Sequence, residues 1–191
     1  MRLFIAADLP AVVRARLGAT QAGLAGLPLE VRWTRPDGIH LTFAFLGEVP
    51  ADRVDGIRGA LRSSGCRGMA PVALAARGVG VFPDHGRPRV IWAGVVGEVE
   101  AAGRVQRAID AALAPLGVAP EARPFRPHLT LGRVTGGRGG DWRGALERHA
   151  QDDFGAFEVS ACVLFESQPG PGGARYRAVE SVPFADVEAA R

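Results

Sequence analysis

The sequence predicts an α+β fold with antiparallel sheets, arranged as two similar lobes, and three observations carry that prediction. Strand-like segments alternate with helical ones but include a hairpin signature, which favours antiparallel pairing over a doubly wound parallel sheet. The words RPDGIHLTF (Arg35 to Phe43) and RPFRPHLTL (Arg123 to Leu131) repeat one pattern nearly half a chain apart, which suggests related halves. No G-x-G-x-x-G follows a strand to open a helix, so nothing supports a dinucleotide-binding sheet.

Taken in order, RLFIAAD (Arg2 to Asp8) reads as an opening strand, and Pro10 stands at the start of a helix to about Leu24 with Val13, Leu17 and Leu24 on one face. After the break at Gly26 to Pro28, Val31 to Thr34 and Ile39 to Leu46 read as strands closed by Gly47. Pro50 to Ser63 is helical, with Val54, Ile57 and Leu61 at helical spacing. PVALAARGVGVF, PDHGRP and RVIWAGV then read as strand, turn and strand. Glu98 to Leu113 has helical periodicity through Val105, Ile109 and Ala112, with acids first and arginines later, which suits the helix dipole. His128 to Val134 is a strand. The glycine-rich VTGGRGGD leads to a helix from Trp142 to Ala150, and Phe154 to Phe165 and Tyr176 to Phe184 close the chain as strands around the turn SQPGPGGA.

At 191 residues and 47% hydrophobic, the chain builds one sizeable core or two small lobes sharing an interface; a single two-lobed domain over residues 1–191 is expected. No apolar run approaches the ~18 residues that span a bilayer, and Asp8 and Pro10 interrupt any signal-like core, so the expectation is a soluble cytoplasmic protein with no membrane association. Cys66 and Cys162 have no metal or redox spacing and read as small buried hydrophobes. All 23 basic residues are Arg and none is Lys. A P-loop lysine, a Schiff base and a ligase lysyl-adenylate are therefore excluded. Arginine suits bidentate phosphate recognition, and Arg35, Arg123, Arg126 and Arg133 fall in or beside the repeated words.

The repeat is not a chance event: with five threonines and four histidines in the chain, two His-x-Thr triplets have a probability on the order of 0.004. On a strand, residues two apart share a face, so His40 with Thr42, and His128 with Thr130, point to one side while Leu41, Phe43, Leu129 and Leu131 point into a core. Two imidazoles titrating near neutrality suit paired general acid and base, and two hydroxyls with an Arg suit an anion between them. A phosphodiester meets that description, with no metal or cofactor required. A lone strand histidine is more often a structural residue, but two copies with matching flanks reverse that balance. His85, in the PDHGRP turn, and His149, in a charged helical stretch, read as surface residues. No HxH or HExxH ligand spacing and no GxSxG elbow is present.

HLTF and HLTL resemble the paired HxTx motifs of the two-histidine phosphoesterase superfamily. More narrowly, the chain is similar to its bacterial and archaeal RNA 2',3'-cyclic phosphodiesterases, also called 2'-5' RNA ligases. RLFIAADLP, IHLTFAFLGEV, GVGVFPDHGRPRVIWAGV, FRPHLTLGRV and FESQPGPGGARYRAV match that family's blocks in order, over nearly the whole chain. The resemblance implies a bilobal α+β fold, its two antiparallel sheets with flanking helices related by a pseudo-twofold axis around an active-site cleft. It implies metal-independent hydrolysis of RNA 2',3'-cyclic phosphate ends to 2'-phosphates by a monomer, and leaves open the reverse joining of a 5'-hydroxyl RNA end. By position, His40 is similar to the family's proton donor to O3' and His128 to its proton acceptor from water. Thr42 and Thr130 match the phosphate-binding threonines, and Arg133 the phosphate-binding arginine. Arg133 lies five positions from His128 and faces away on a regular strand, so a bulge near Gly132 is expected. Phe43 replaces a smaller aliphatic residue and points inward. Phe125 and Arg126 are candidates for stacking on the RNA base, with Phe125 equally readable as core. The alternative from another class is a nucleotide or RNA-end binding module without turnover, against which two titrating histidines argue.

Overall fold

The computed structural model describes residues 1–137, 142–170 and 173–184. The glycine-rich VTGGRGGD run and the SQPGPGGA turn therefore lie partly outside the described residues. The first strand, β1 (Arg2–Ala7), is apolar on both faces because it runs through the interior of the sheet, buried from Leu3 to Ala7. Pro10 then fixes the backbone ahead of α1 (Ala11–Gly23), which buries Val13, Leu17 and Gln21. β2 (Glu30–Trp33) and β3 (Leu41–Glu48) flank a tight turn, and α2 (Val54–Arg62) buries the expected Val54, Ile57 and Leu61. β4 (Val72–Phe82) and β5 (Val90–Gly97) form the expected hairpin. α3 (Val99–Leu113) buries Val105, Ile109 and Leu113.

The rest of the chain is β6 (His128–Gly136), α4 (Trp142–Glu147), β7 (Asp153–Val159), β8 (Ala161–Gln168) and β9 (Arg175–Pro183). Two segments differ from the sequence reading. The segment Phe154 to Phe165 is two strands rather than one, split at Ser160: β7 pairs with β4, and β8 with β1, far away in the sheet. Phe157 and Val159 share a buried face, as do Cys162 and Leu164, but the step from 159 to 162 is odd and breaks the alternation. α4 stops at Glu147, and the turn behind it is used otherwise: the carbonyls of His149 and Asp152 accept hydrogen bonds from the N–H groups of Val79 and Gly78.

Among the described residues every strand pair is antiparallel, in the order β7-β4-β5-β6-β3-β1-β8-β9, with β2 also on β6. In place of two separate sheets there is one hydrogen-bonded path. Its centre is a single β3–β6 pair, Leu41 opposite Leu129. Periodicity says which residues share a strand face, not which strands meet, so this junction was not legible from spacing. The core is contiguous and includes Cys66 and Cys162, both buried free thiols. The Cys66 thiol beside it, together with burial, holds Cys162 above the usual thiol range, as suits a packing residue. Among the described residues no helix is long and apolar enough to cross a membrane.

Candidate active site

The central pair brings the two repeated words side by side. With Leu41 opposite Leu129, antiparallel register sets His40 level with Thr130 and Thr42 level with His128. The alternation expected from sequence holds: Leu41, Phe43, Leu129 and Leu131 are buried, while the four His and Thr positions are half-buried on the other face. His40 stands just ahead of β3 and His128 opens β6.

Both imidazoles are held in the same way. Nδ1 of His40 lies 2.8 Å from the carbonyl oxygen of Gly38, and Nδ1 of His128 lies 2.7 Å from that of Arg126. A carbonyl only accepts, so each Nδ1 carries the hydrogen and each Nε2 keeps the lone pair for proton exchange. Each ring is also wedged by aromatics. His40 stacks on Phe4 at 4.6 Å between centroids and meets Tyr176 edge-on at 5.1 Å. His128 meets Phe82 edge-on at 5.1 Å, and Phe82 leans on Trp92. Glycines leave the space: a Cβ on Gly80 would stand 2.3 Å from the Trp92 ring, and Gly94, the register partner of His128, offers no side chain beside it.

These surroundings set the charge of His40. Burial pushes its pKa down to about 4, against the Gly38 carbonyl and the Asp8 carboxylate, which favour the cation; the charge of His128 lowers it further. In the free protein at neutral pH His40 is therefore a neutral imidazole. It borders a cavity of about 170 Å³ lined also by Phe4, Asp8, Arg14, Phe165 and Tyr176. Among the described residues no three His, Cys, Asp or Glu side chains gather as a metal-ligand group.

A bulge explains Arg133. Thr130 pairs with Trp92 and Gly132 with Ile91, so Leu131 is an extra residue in β6. Arg133 then pairs with Val90, on the same face of β5 as Trp92, and so shares the face of His128 and Thr130. The same slip occurs at the matching place in the other word: Thr42 pairs with Ala6 and Ala44 with Ile5, leaving Phe43 extra. The counterpart of Arg133 is thus Phe45, which pairs with Phe4, shares the face of Thr42, and is 66% exposed. Sequence reading overlooked Phe45, although its place five residues after the histidine, like that of Arg133, was available as a signal. It also overlooked Phe4 on β1, Asp8 just past its end and Tyr176 on β9, all outside the repeat.

The bulge in β6 is tied down by a buried side chain. Gln21 on α1 donates from Nε2 to the carbonyls of Leu131 and Thr34, both at 2.7 Å. Gln21→Leu is expected to lose about 1–3 kcal/mol in urea unfolding, because those carbonyls are left short of donors in the interior. A loss below a few tenths of a kcal/mol would show that the bulge stands without Gln21.

Other predicted residues fall elsewhere. The Phe125 ring stacks on Phe43 at 6.1 Å, on the core side of β3, so it packs rather than facing the histidines. Arg126 is exposed and contributes its carbonyl to His128. Arg35 and Arg123 form local ion pairs with Asp37 and Glu121, while the register places Arg133 on the face of Thr130. His85 is exposed as expected. His149 is not a free surface residue: it lies behind α4 with Nδ1 2.7 Å from Asp152, partly buried.

Comparison with known proteins places these residues in a wider context. The LigT like phosphoesterase family matches residues 8–92 and 95–176. The RNA 2',3'-cyclic phosphodiesterase of Methanothermobacter thermautotrophicus is 33% identical over 181 residues, spanning 94% of this chain and 97% of its own. The protein of the same description from Archaeoglobus fulgidus is 31% identical over 177 residues, spanning 93% and 97%. Among solved structures, a Thermus thermophilus protein superimposes with a TM-score of 0.78 at 29% identity, covering 96% of this chain and 98% of its own. Escherichia coli LigT complexed with 3'-AMP superimposes with a TM-score of 0.78 at 25% identity, covering 96% and 97%.

Proposed function

Because the chain belongs to the LigT like phosphoesterase family, we propose that it is an RNA 2',3'-cyclic phosphodiesterase that opens the terminal cyclic phosphate to a 2'-phosphate by paired histidine catalysis. The observation that supports this best is the duplication of the imidazole setting. Two Nδ1-to-carbonyl bonds, each to the residue two positions back, flank the single Leu41–Leu129 pair as an approximate twofold axis would arrange them. Such symmetry suits in-line displacement, in which proton removal and proton delivery occur on opposite sides of phosphorus.

In this mechanism Nε2 of His128 takes a proton from water as the water oxygen bonds to phosphorus. The P–O3' bond breaks, and O3' receives a proton from Nε2 of His40, which enters the step as the imidazolium after taking that proton from solvent. Thr42, Thr130 and Arg133 hold the non-bridging oxygens, whose charge grows in the transition state. Phe45, exposed beside Phe4, offers its ring as a stacking surface for the terminal base. A 5'-hydroxyl in the place of water would give a 2'–5' linkage by the same proton transfers, so the joining reaction needs no additional groups. Turnover distinguishes this reading from a binding module, since binding requires donors but not a pair of groups that exchange protons.

The test is direct. Incubated with EDTA and a nucleoside 2',3'-cyclic phosphate, the protein is expected to release the 2'-monophosphate at the rate seen without chelator. Loss of activity in EDTA with rescue by a divalent metal, or release of the 3'-isomer, would refute the mechanism as written.

A further inference from the structure

Arg32 and Arg133 stand directly opposite each other on β2 and β6. Both are exposed, and neither has a carboxylate partner among the described residues. Val31 and Trp33 press on the other face, where a Cβ at Gly132 would meet both, so Arg32 shares the face of Arg133 and of the threonines. Like charges directly opposite in a sheet repel, and a neutral pair would pack there without that cost. Glu30, the nearest acid on β2, lies over Gly136 and marks where the basic track ends.

The register sets this pair on the face of Thr130, and its charge is felt beside His40. Burial raises the Tyr176 phenol above its ordinary value, and the charges of Arg133, Arg2 and Arg32 pull it partway back. Tyr176 in turn touches the His40 ring. Arg32 thus acts on the phenol that packs against His40, one strand spacing beyond Arg133.

We propose that Arg32, beside Arg133, forms a second anion subsite that takes the phosphodiester one nucleotide upstream of the cyclic end. The inference rests on the reading of the cleft as a cyclic phosphodiesterase site, and it deepens that reading: the preferred substrate is an oligonucleotide end rather than a mononucleotide. The first phosphate is held by Thr42, Thr130 and Arg133. The next phosphate along the strand meets Arg32, whose fork of N–H donors fits two phosphate oxygens.

The experiment compares a nucleoside 2',3'-cyclic phosphate with a 5'-hydroxyl dinucleotide ending in the same nucleoside cyclic phosphate. These differ by one nucleoside and the phosphodiester that joins it, and the salt dependence and the Arg32 variants isolate the phosphodiester. Wild type is expected to favour the dinucleotide in kcat/KM, and Arg32→Gln to lose about tenfold more on the dinucleotide than on the mononucleotide, near the low end for a hydrogen bond to a charged group. Arg32→Lys should recover part of the loss. In wild type, log kcat/KM against log salt should be steeper for the dinucleotide by about 0.7, the contribution of one single-strand phosphate contact, and Arg32→Gln should erase that difference. Equal losses on the two substrates would assign Arg32 to the cyclic phosphate or to the fold and overturn the subsite; so would no loss on either. If wild type turns over neither substrate, the hydrolytic reading fails by itself. Titration with the corresponding 2'-phosphorylated mono- and dinucleotide then decides the subsite, with the same tenfold differential expected in Kd and its absence refuting the proposal.

Discussion

Replacing either His40 or His128 by alanine is expected to lower kcat on a nucleoside 2',3'-cyclic phosphate by about 10²- to 10⁴-fold, the usual contribution of a positioned acid or base, with a much smaller change in KM. In the proposed mechanism the two proton transfers belong to one displacement, so the double variant should be little slower than the slower single one. His40 is packed between Phe4, Phe165 and Tyr176, and truncation there also leaves a void. His40→Gln, which fills much of the space without a titrating ring, separates packing from chemistry: it should recover melting temperature and not rate. His128 lacks that enclosure on one side, because its register partner is Gly94, so His128→Ala should fold with little loss. Retention of more than a tenth of the wild-type kcat in either alanine variant would remove that histidine from the chemistry.

Why these histidines were legible, and much around them was not, follows from what sequence spacing encodes. The period-two pattern HLT places His and Thr on one face whatever strand lies alongside, and the pattern survived because Leu41 and Leu129 are the buried pair at the sheet centre. The hairpin of β4 and β5 and the buried stripes of α1, α2 and α3 are equally local, and their bounds are close to those read from the sequence. Arg133 required an irregularity. A regular strand turns it away, and only the extra residue at Leu131, pinned by a glutamine from a helix more than a hundred positions earlier in the chain, returns it to the cleft. The resemblance to a known family asked for that bulge; alternation alone argued against it. Phe45 depends on the same device at Phe43 and was missed because one apolar residue in an apolar run carries no mark of exposure. Tyr176, Phe4 and Asp8 reach His40 through strand neighbours that spacing does not specify. The Ser160 break was visible as a slip in alternation, but the run of apolar residues on both sides hid it.

The direction of proton flow gives the second large effect, and here the electrostatics of the free protein pose a problem that substrate resolves. An acid with a pKa of about 4 is mostly deprotonated at pH 7, and charging it there costs roughly 4 kcal/mol at 1.36 kcal/mol per pH unit. Its protonated fraction falls tenfold for each unit above about 4, so the form that the proposed mechanism needs for donation to O3' is a minority species in the free protein. Binding a phosphate anion beside it favours the cation, in the same sense as Asp8 already does. A substrate with sulfur at the bridging 3' position tests the assignment, because a thiolate leaves with little need of a proton. That substrate should largely rescue His40→Ala, by about 10²-fold relative to its oxygen parent, and should not rescue His128→Ala. The pH profile should change in step. With oxygen leaving, kcat/KM falls at high pH because His40 must be charged; with sulfur leaving, that fall should vanish and the rate should rise with pH to a plateau set by the base alone. Rescue of His128→Ala in place of His40→Ala would interchange the roles, and the low pKa of His40 would then belong to a base kept neutral by burial, with the cleft, its duplicated imidazoles and its threonines unchanged.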